Sequence, residues 1–301
     1  MIKSFDEVLK VAKERGPKIL SVACAQDDDV MLAVENARKE GIVQAILVGD
    51  LEGITAVCEQ HHIDLKNYEV IDIKDMTEAS YKAVELVSSG KAHLVMKGLV
   101  DTSIVLKAVL DKEIGLRTGN ALSHVAVFDV PNFPRLLYVT DAAMNIAPDA
   151  ETKKQIIENS VIVANALDIP EPNVGVICAK EKVNAKMPAT LDAEILVNMY
   201  KEGKIKGCKV GGPFALDNAV SEEAARIKGM KDPMAGKVDI LLCPTIETGN
   251  VLYKALTFLA GARSAGIIVG AKAPIVLTSR ADDDDSKLNS IALGVLMAAI
   301  M

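Results

Sequence analysis

Two periods alternate along the chain. Short continuous apolar runs read as buried strands, and apolar stripes at three- and four-residue spacing read as helices. Residues 4–15 carry Phe5, Val8, Leu9 and Ala12 on one stripe, a helix that Gly16-Pro17 stops. Residues 18–25 form a strand. Asp27-Asp28-Asp29 then open a helix that runs to residue 40 and ends at Gly41. Strands over 44–48, 68–73 and 93–96 alternate with helices over 51–62, 78–89 and 102–113. These strands are apolar throughout rather than at every second position. That pattern predicts a parallel sheet covered on both faces.

The middle departs from this rhythm. Residues 124–130 and 136–139 are two strand runs joined through Pro131-Asn132-Phe133-Pro134, which predicts an antiparallel hairpin. The polar turn Thr140-Asp141-Ala142-Ala143-Met144-Asn145 precedes a long helix over 150–167. Alternation then resumes, with strands over 173–178, 209–210 and 238–243 and helices over 189–200, 218–228 and 250–259. Strands over 266–269 and 275–278 and a helix over 287–301 complete the chain. The expectation is an α/β protein of two closely packed lobes with a cleft between them, free of sequence repeats and of low-complexity linkers.

Composition narrows the function. Half of the 301 residues are apolar, enough for a large core, and the length suits about two domains. A net charge of −7 gives no reason to expect nucleic acid or an anionic membrane as partner. The few aromatic residues offer no platform for stacking bases. No apolar run reaches the roughly 18 residues of a membrane span, and the start Met1-Ile2-Lys3-Ser4-Phe5-Asp6-Glu7 does not have the form of a signal peptide. Cys24, Cys58, Cys178, Cys208 and Cys243 form no CxxC pair and are expected as buried free thiols in a reducing cytoplasm. The four histidines lack ligand spacing, so no metal site is expected. The high apolar fraction suits a homo-oligomer.

Familiar nucleotide and hydrolase motifs are missing: the chain has no GxGxxG, no GxxxxGK[ST] and no GxSxG. Polar clusters stand instead at strand ends, where open α/β sheets bind ligands. They are Lys97-Gly98; Arg117-Thr118-Gly119-Asn120 with Ser123-His124; Thr140-Asp141; Gly211-Gly212-Pro213; Cys243 to Asn250 with Tyr253-Lys254; and Ser279-Arg280, followed by Asp282-Asp283-Asp284-Asp285. Glycines that aim backbone amides from a helix start suit anions. Each cluster alone could equally be an ordinary strand-to-helix turn, and aspartates in a first helical turn also complement the helix dipole.

Taken together, the clusters resemble the phosphate acetyltransferase/butyryltransferase family. Leu-Leu-Cys-Pro-Thr-Ile-Glu-Thr-Gly-Asn-Val-Leu-Tyr-Lys (241–254) is similar to that family's Pro-x-x-x-x-Gly-Asn-x-x-Tyr-Lys signature, and Thr-Ser-Arg-Ala-Asp (278–282) to its Ser-Arg signature. Lys97-Gly98, Asp141 to Asn145 and Gly-Gly-Pro-Phe-Ala-Leu-Asp (211–217) also match, so the resemblance covers nearly the whole chain. The short length and Ser-Arg-Ala-Asp look most like the butyryl branch. The resemblance implies a two-lobed three-layer α/β/α fold of the isocitrate/isopropylmalate dehydrogenase type, used without nucleotide. One lobe would take 1–127 and 266–301, the other 128–265.

The implied reaction moves an acyl group between coenzyme A, a substrate rather than a bound cofactor, and inorganic phosphate, without a covalent acyl-enzyme. Arg280 would hold phosphoryl oxygens with its planar fork, and Ser279 would donate to the developing charge. A carboxylate would take the thiol proton. The family's spacing lands on Asp285 or Ser286, which sets Asp285 slightly ahead of Asp282. Thr245, Glu247 and Asn250 would line the acyl-phosphate pocket. Lys97, Ser123, Asp141 and Lys254 join them as substrate-binding candidates, and Arg117 and Arg135 are candidates for the coenzyme A phosphates. Three alternatives stay open: a phosphate acetyltransferase, a metal- and NAD-dependent hydroxy-acid dehydrogenase of the same fold, and a catalytically idle acyl-CoA-binding module.

Overall fold

In the computed structural model, which describes residues 1–278 and 282–301, the chain divides into two compact units. One comprises Phe5–Asn120 and Ser264–Met301, the other Met1–Ser4 and Ala121–Arg263.

The first unit begins with α1 (Phe5–Arg15), which buries Phe5, Val8 and Ala12. It continues through β1 (Lys18–Ala23), α2 (Asp28–Lys39), β2 (Val43–Gly49), α3 (Leu51–Gln60), β3 (Glu69–Asp72), α4 (Met76–Ser88), β4 (Leu94–Lys97) and α5 (Thr102–Val109). Strands β3, β2, β1 and β4 pair in that order, all parallel. The last four residues of β1 and all of β4 are buried, as continuous apolar strands under two helical layers must be. Aspartate opens the helices. Asp27 accepts the Val30 N–H, and Asp75 accepts those of Thr77 and Glu78, satisfying donors that a helix start leaves unpaired.

The second unit opens with the expected hairpin. β5 (Ser123–Asp129) and β6 (Leu137–Thr140) are antiparallel, in register from Val125 opposite Thr140 to Phe128 opposite Leu137. α6 (Ala150–Ala166), β7 (Asn173–Ile177), α7 (Pro188–Lys201) and β8 (Lys209–Phe214) follow. Next come α8 (Leu216–Val220), α9 (Glu222–Ile227), β9 (Ile240–Leu242) and α10 (Ile246–Lys254), which runs on as a π-turn over Ala255–Leu259. The strand order is β5-β6-β9-β7-β8, parallel except for the hairpin. Its core gathers Phe128, Val139, Phe214, Val238 and Leu241.

The chain then returns to the first unit through β10 (Arg263–Val269), β11 (Ile275–Val276) and α11 (Asp284–Ala298). β11 is parallel to β4 and antiparallel to β10, and α11 packs on α1 and α2. Both units are therefore mixed α/β with mostly parallel strands. Among the described residues no helix is long and apolar enough to cross a membrane.

Three expectations need correction. Gly211-Gly212-Pro213 lies inside β8, which runs on to Phe214, so it is strand rather than a loop after one. The helix expected over 218–228 is two short helices, because Ser221 adopts an extended backbone and caps the second by accepting the Ala224 N–H. The final helix starts at Asp284, with Asp283 as its cap, three residues before the expected start.

One buried ionic network sits away from the strand ends. Glu35, 5% exposed, accepts two bonds from the Arg38 guanidinium at 2.8 and 2.9 Å and one from the Tyr68 hydroxyl at 2.5 Å. The Arg38 bonds hold its carboxyl at about 2, far below its ordinary 4.5, with Tyr68 adding to the effect. A depressed carboxylate contributes stability above about pH 4.5 and loses it as pH falls toward 2. Glu35→Gln is therefore expected to cost about 3 kcal/mol at neutral pH, the free-energy equivalent of the shift. Urea unfolding across pH 7 to 2 should show the gap to wild type closing over that window.

Candidate active site

The carboxyl ends of β1, β4 and β11 form the first unit's polar cluster. Gly98 makes it possible. A Cβ at this position would lie 2.2 Å from the Cys24 carbonyl oxygen and 2.7 Å from that of Ala23, closer than any real side chain approaches. With hydrogen there instead, Gly98 N–H donates to Ala23 and Leu99 N–H to Cys24, both at 2.8 Å, and the two strand ends lock together. Lys97, the last residue of β4, is 6% exposed, and its ammonium donates to the Gly98 and Val100 carbonyls at 3.2 Å.

Ser279, Arg280 and Ala281 lie outside the described residues, but both neighbours are placed. Thr278 and Asp282 are buried, at 6% and 7% exposure. The four aspartates divide by function. Asp283 caps α11 through the Ser286 N–H, and Asp284 and Asp285 occupy its first turn, with Asp285 exposed. Asp282 alone of the four is buried.

Sequence reasoning missed Lys287. It is the sole ionisable residue of 287–301, which is the signal that could have found it. Its side chain is 5% exposed, donates to the Asp282 carbonyl and lies 3.6 Å from the Asp29 carboxylate. Asp27, Lys97, Gly98, Thr278 and Lys287 line a cavity of about 20 Å³, room for a single water-sized occupant.

Arg117 is exposed and lines a groove of about 830 Å³ together with Lys107, Lys112, Tyr81 and Leu106. The carboxylates of Asp111 and Glu113 line the same groove, so its charge is mixed. Arg135 has a different task. It bonds Asp239 at 3.1 Å and the Val238 carbonyl at 2.8 Å and stacks on Phe133, which ties the hairpin to β9.

The second unit's cluster is built around Asp141, 3% exposed. Its Oδ1 accepts the Ala143 and Met144 N–H groups, and its Oδ2 accepts the Asn145 N–H and side-chain amide. Both oxygens are thus taken up in shaping the 141–145 turn. Gly249 packs on this turn, where a Cβ would meet the Asp141 carbonyl oxygen at 2.2 Å, and Asn250 donates to the Ala142 carbonyl at 3.4 Å. Tyr253 sets its ring edge-on against Phe128, at 5.2 Å. The Gly-Asn-x-x-Tyr signature therefore docks α10 onto the turn and the core. Ser123, expected to bind substrate, is fully buried and accepts a bond from Asn159 on α6, so it fastens β5 to that helix.

His124 is buried beside Asp141 and Tyr253, and burial pushes its pKa down although the Asp141 charge opposes this. Thr245 and Glu247 start α10. The Glu247 carboxyl is held below its ordinary range by its own backbone N–H and the Thr245 hydroxyl. Lys254, at the other end of this helix, is exposed.

All five cysteines are free and buried. Burial raises the thiols of Cys208 and Cys243 to about 12 and that of Cys178 to about 11, so these three stay protonated at neutral pH. Among the described residues no group of His, Cys, Asp and Glu could hold a metal ion.

Comparison with known proteins gives this geometry a family. A family model described as phosphate acetyl/butaryl transferase matches residues 74–295. The phosphate butyryltransferase of Clostridium beijerinckii is 52% identical over 99% of both chains. The phosphate acetyltransferase of Thermotoga maritima is 47% identical over 98% of this chain and 99% of its own. A crystal structure of a branched-chain phosphotransacylase from Enterococcus faecalis V583 is 34% identical, with a TM-score of 0.84 over 93% of this chain and 99% of that one. The chain belongs to the phosphate acetyl/butyryl transferase family.

Proposed function

We propose that the chain catalyses the reversible transfer of a short acyl group between coenzyme A and inorganic phosphate, with butanoyl-CoA + phosphate = butanoyl phosphate + CoA as its preferred form. The observation that carries this reading is the 52% identity to a phosphate butyryltransferase across 99% of both chains. The acetyl reading has the Thermotoga maritima relative behind it. The two readings differ by two methylenes of substrate, each worth only about 1–3 kcal/mol of discrimination. The dehydrogenase reading has no such support, since Asp283 caps α11 and Asp284 and Asp285 fill its first turn. The finer fold reading, two lobes of the isocitrate/isopropylmalate dehydrogenase type, is supported by the division into two α/β units.

In the direction of acyl-CoA synthesis, the coenzyme A sulfur attacks the carbonyl carbon of the acyl phosphate. A C–S bond forms, the C–O bond to the phosphoryl group breaks, and phosphate leaves. A thiol near the cysteine reference of about 8.5 is mostly protonated at neutral pH, so a base is needed. We assign that role to Asp282. Its burial holds the carboxylate in one place, whereas Asp285 faces solvent. Arg280 and Ser279 take the roles that the family resemblance gives them, binding the phosphoryl oxygens and donating to the developing charge. Direct transfer is supported by the buried thiols, of which none on the second unit ionises at neutral pH to accept an acyl group.

Free thiol released from acetyl-, propionyl-, butyryl- and valeryl-CoA is expected to depend on added phosphate and to be fastest with butyryl-CoA. Release without phosphate would make the protein a thioesterase, and a maximum at acetyl-CoA would move it to the acetyl branch. For the base, Asp282→Asn is expected to lower kcat by about 10²–10⁴-fold, with Asp285→Asn close to wild type. The reverse result would transfer the role to Asp285.

We also infer that the chain self-associates. Val251, Phe258 and Leu259, at 68%, 64% and 87% exposure, leave an apolar strip along α10 and its π-turn. Sedimentation equilibrium should give a multiple of 32.0 kDa, and Phe258→Asp with Leu259→Asp should shift it toward one copy. A wild-type monomer would end this reading.

A further inference from the structure

Lys287 is an unfavourable residue for its place. It is 4% exposed, and removing an ammonium from water costs several kcal/mol. It is also in the first turn of α11, at the positive end of the helix dipole, where a cation is disfavoured. Beyond Lys287, α11 consists of uncharged residues and buries Ile291, Leu293, Val295 and Leu296. An apolar side chain at 287 would meet that packing without either cost, and replacing buried charge by apolar groups is often neutral or stabilising. The ion pair is a poor reason for a lysine here, since the Asp29 carboxylate is 3.6 Å away and half exposed.

What the ammonium does reach is the Asp282 carbonyl. Asp282 is where the chain emerges from the Ser279-Arg280-Ala281 segment, and Thr278 is where it enters. Thr278 and Lys287 line the same small cavity, beside Lys97 and Gly98. Both ends of the segment thus stand at one buried place, and the exit is held by a charged donor, the stronger kind of hydrogen bond.

We propose that Lys287 is a positioning residue. By gripping the Asp282 carbonyl, it fixes the end of the segment that carries Ser279 and Arg280. The link to catalysis rests on the proposed acyl transfer; the grip on the segment does not.

Lys287→Met keeps an unbranched side chain one atom shorter and removes its donor. Hydrogen exchange followed by mass spectrometry is expected to show peptides over 278–286 exchanging at least about tenfold faster, with the rest of the chain unchanged. Turnover of butyryl-CoA with phosphate should fall about 100-fold through kcat, the scale of a displacement near 1 Å, while both KM values stay within about threefold. Asp29→Ala removes the carboxylate and leaves the carbonyl contact, so it should match wild type in exchange over 278–286 and in kcat. If Lys287→Met does not fold, Lys287→Leu also removes the donor and gives the same two readouts. Unchanged exchange over 278–286 would overturn the proposal. So would faster exchange with full kcat, or an Asp29→Ala variant as impaired as Lys287→Met. A wild-type protein inactive on acyl-CoA and phosphate would sink the acyl-transfer reading, and the exchange result would still decide whether Lys287 holds the segment.

Discussion

In each of the two polar clusters a glycine brings backbone against backbone more closely than a side chain permits. At Gly98 a Cβ would lie 2.2 Å from the Cys24 carbonyl oxygen, and at Gly249 it would lie 2.2 Å from that of Asp141. Each glycine sets one polar cluster. The first lets the ends of β1 and β4 cross-bond through Gly98 and Leu99, which turns Lys97 into a buried residue at a fixed height. The second seats α10 on the 141–145 turn, where Asn250 adds its amide to the Ala142 carbonyl. Packed interiors transmit such constraints because they hold few voids and yield little. An added methyl has nowhere to go, and the strand end or the helix would have to move.

The same contacts explain what could be read from the sequence and what could not. The strands and helices of the first unit were legible because buried parallel strands are apolar throughout. The hairpin was legible from the two runs flanking Pro131 and Pro134. The destinations of polar side chains were not, because their partners are remote. Ser123 meets Asn159, 36 positions away, Arg135 meets Asp239, 104 away, and Asn250 meets Ala142, 108 away. Sequence position suggests a ligand contact for each, and in the structure each holds two elements together. Gly211-Gly212-Pro213 misled for a related reason: glycine and proline suggest a loop, but here they sit within β8. Lys287 went unread although it is the sole ionisable side chain of the closing run 287–301.

Aspartates show how one residue type divides between architecture and chemistry. Asp27, Asp75, Asp149 and Asp283 each accept a backbone N–H at a helix start. The run Asp282 to Asp285 therefore loses most of its apparent chemical density once α11 is placed. Asp283 caps, Asp284 and Asp285 complement the dipole, and Asp282 remains outside the helix and out of solvent. A cluster of four carboxylates in the sequence becomes a single candidate in space. Spacing by itself could not make that selection, since it depends on where the helix begins.

The net charge of −7 is a weak guide to such a place. Exposed charges are screened over roughly 8 Å at physiological ionic strength, so carboxylates spread over the surface contribute little to the potential inside a strand-end crevice. Local charges dominate there: the ammoniums of Lys97 and Lys287 and the N-termini of α2 and α11, set against the carboxylates of Asp27, Asp29 and Asp282. Composition could argue against long polyanions, which need an extended basic surface. It could not argue against small anions, which need a few positive groups held out of water. A chain that is acidic overall can therefore be read as handling phosphate and coenzyme A without contradiction, because the two statements concern different length scales.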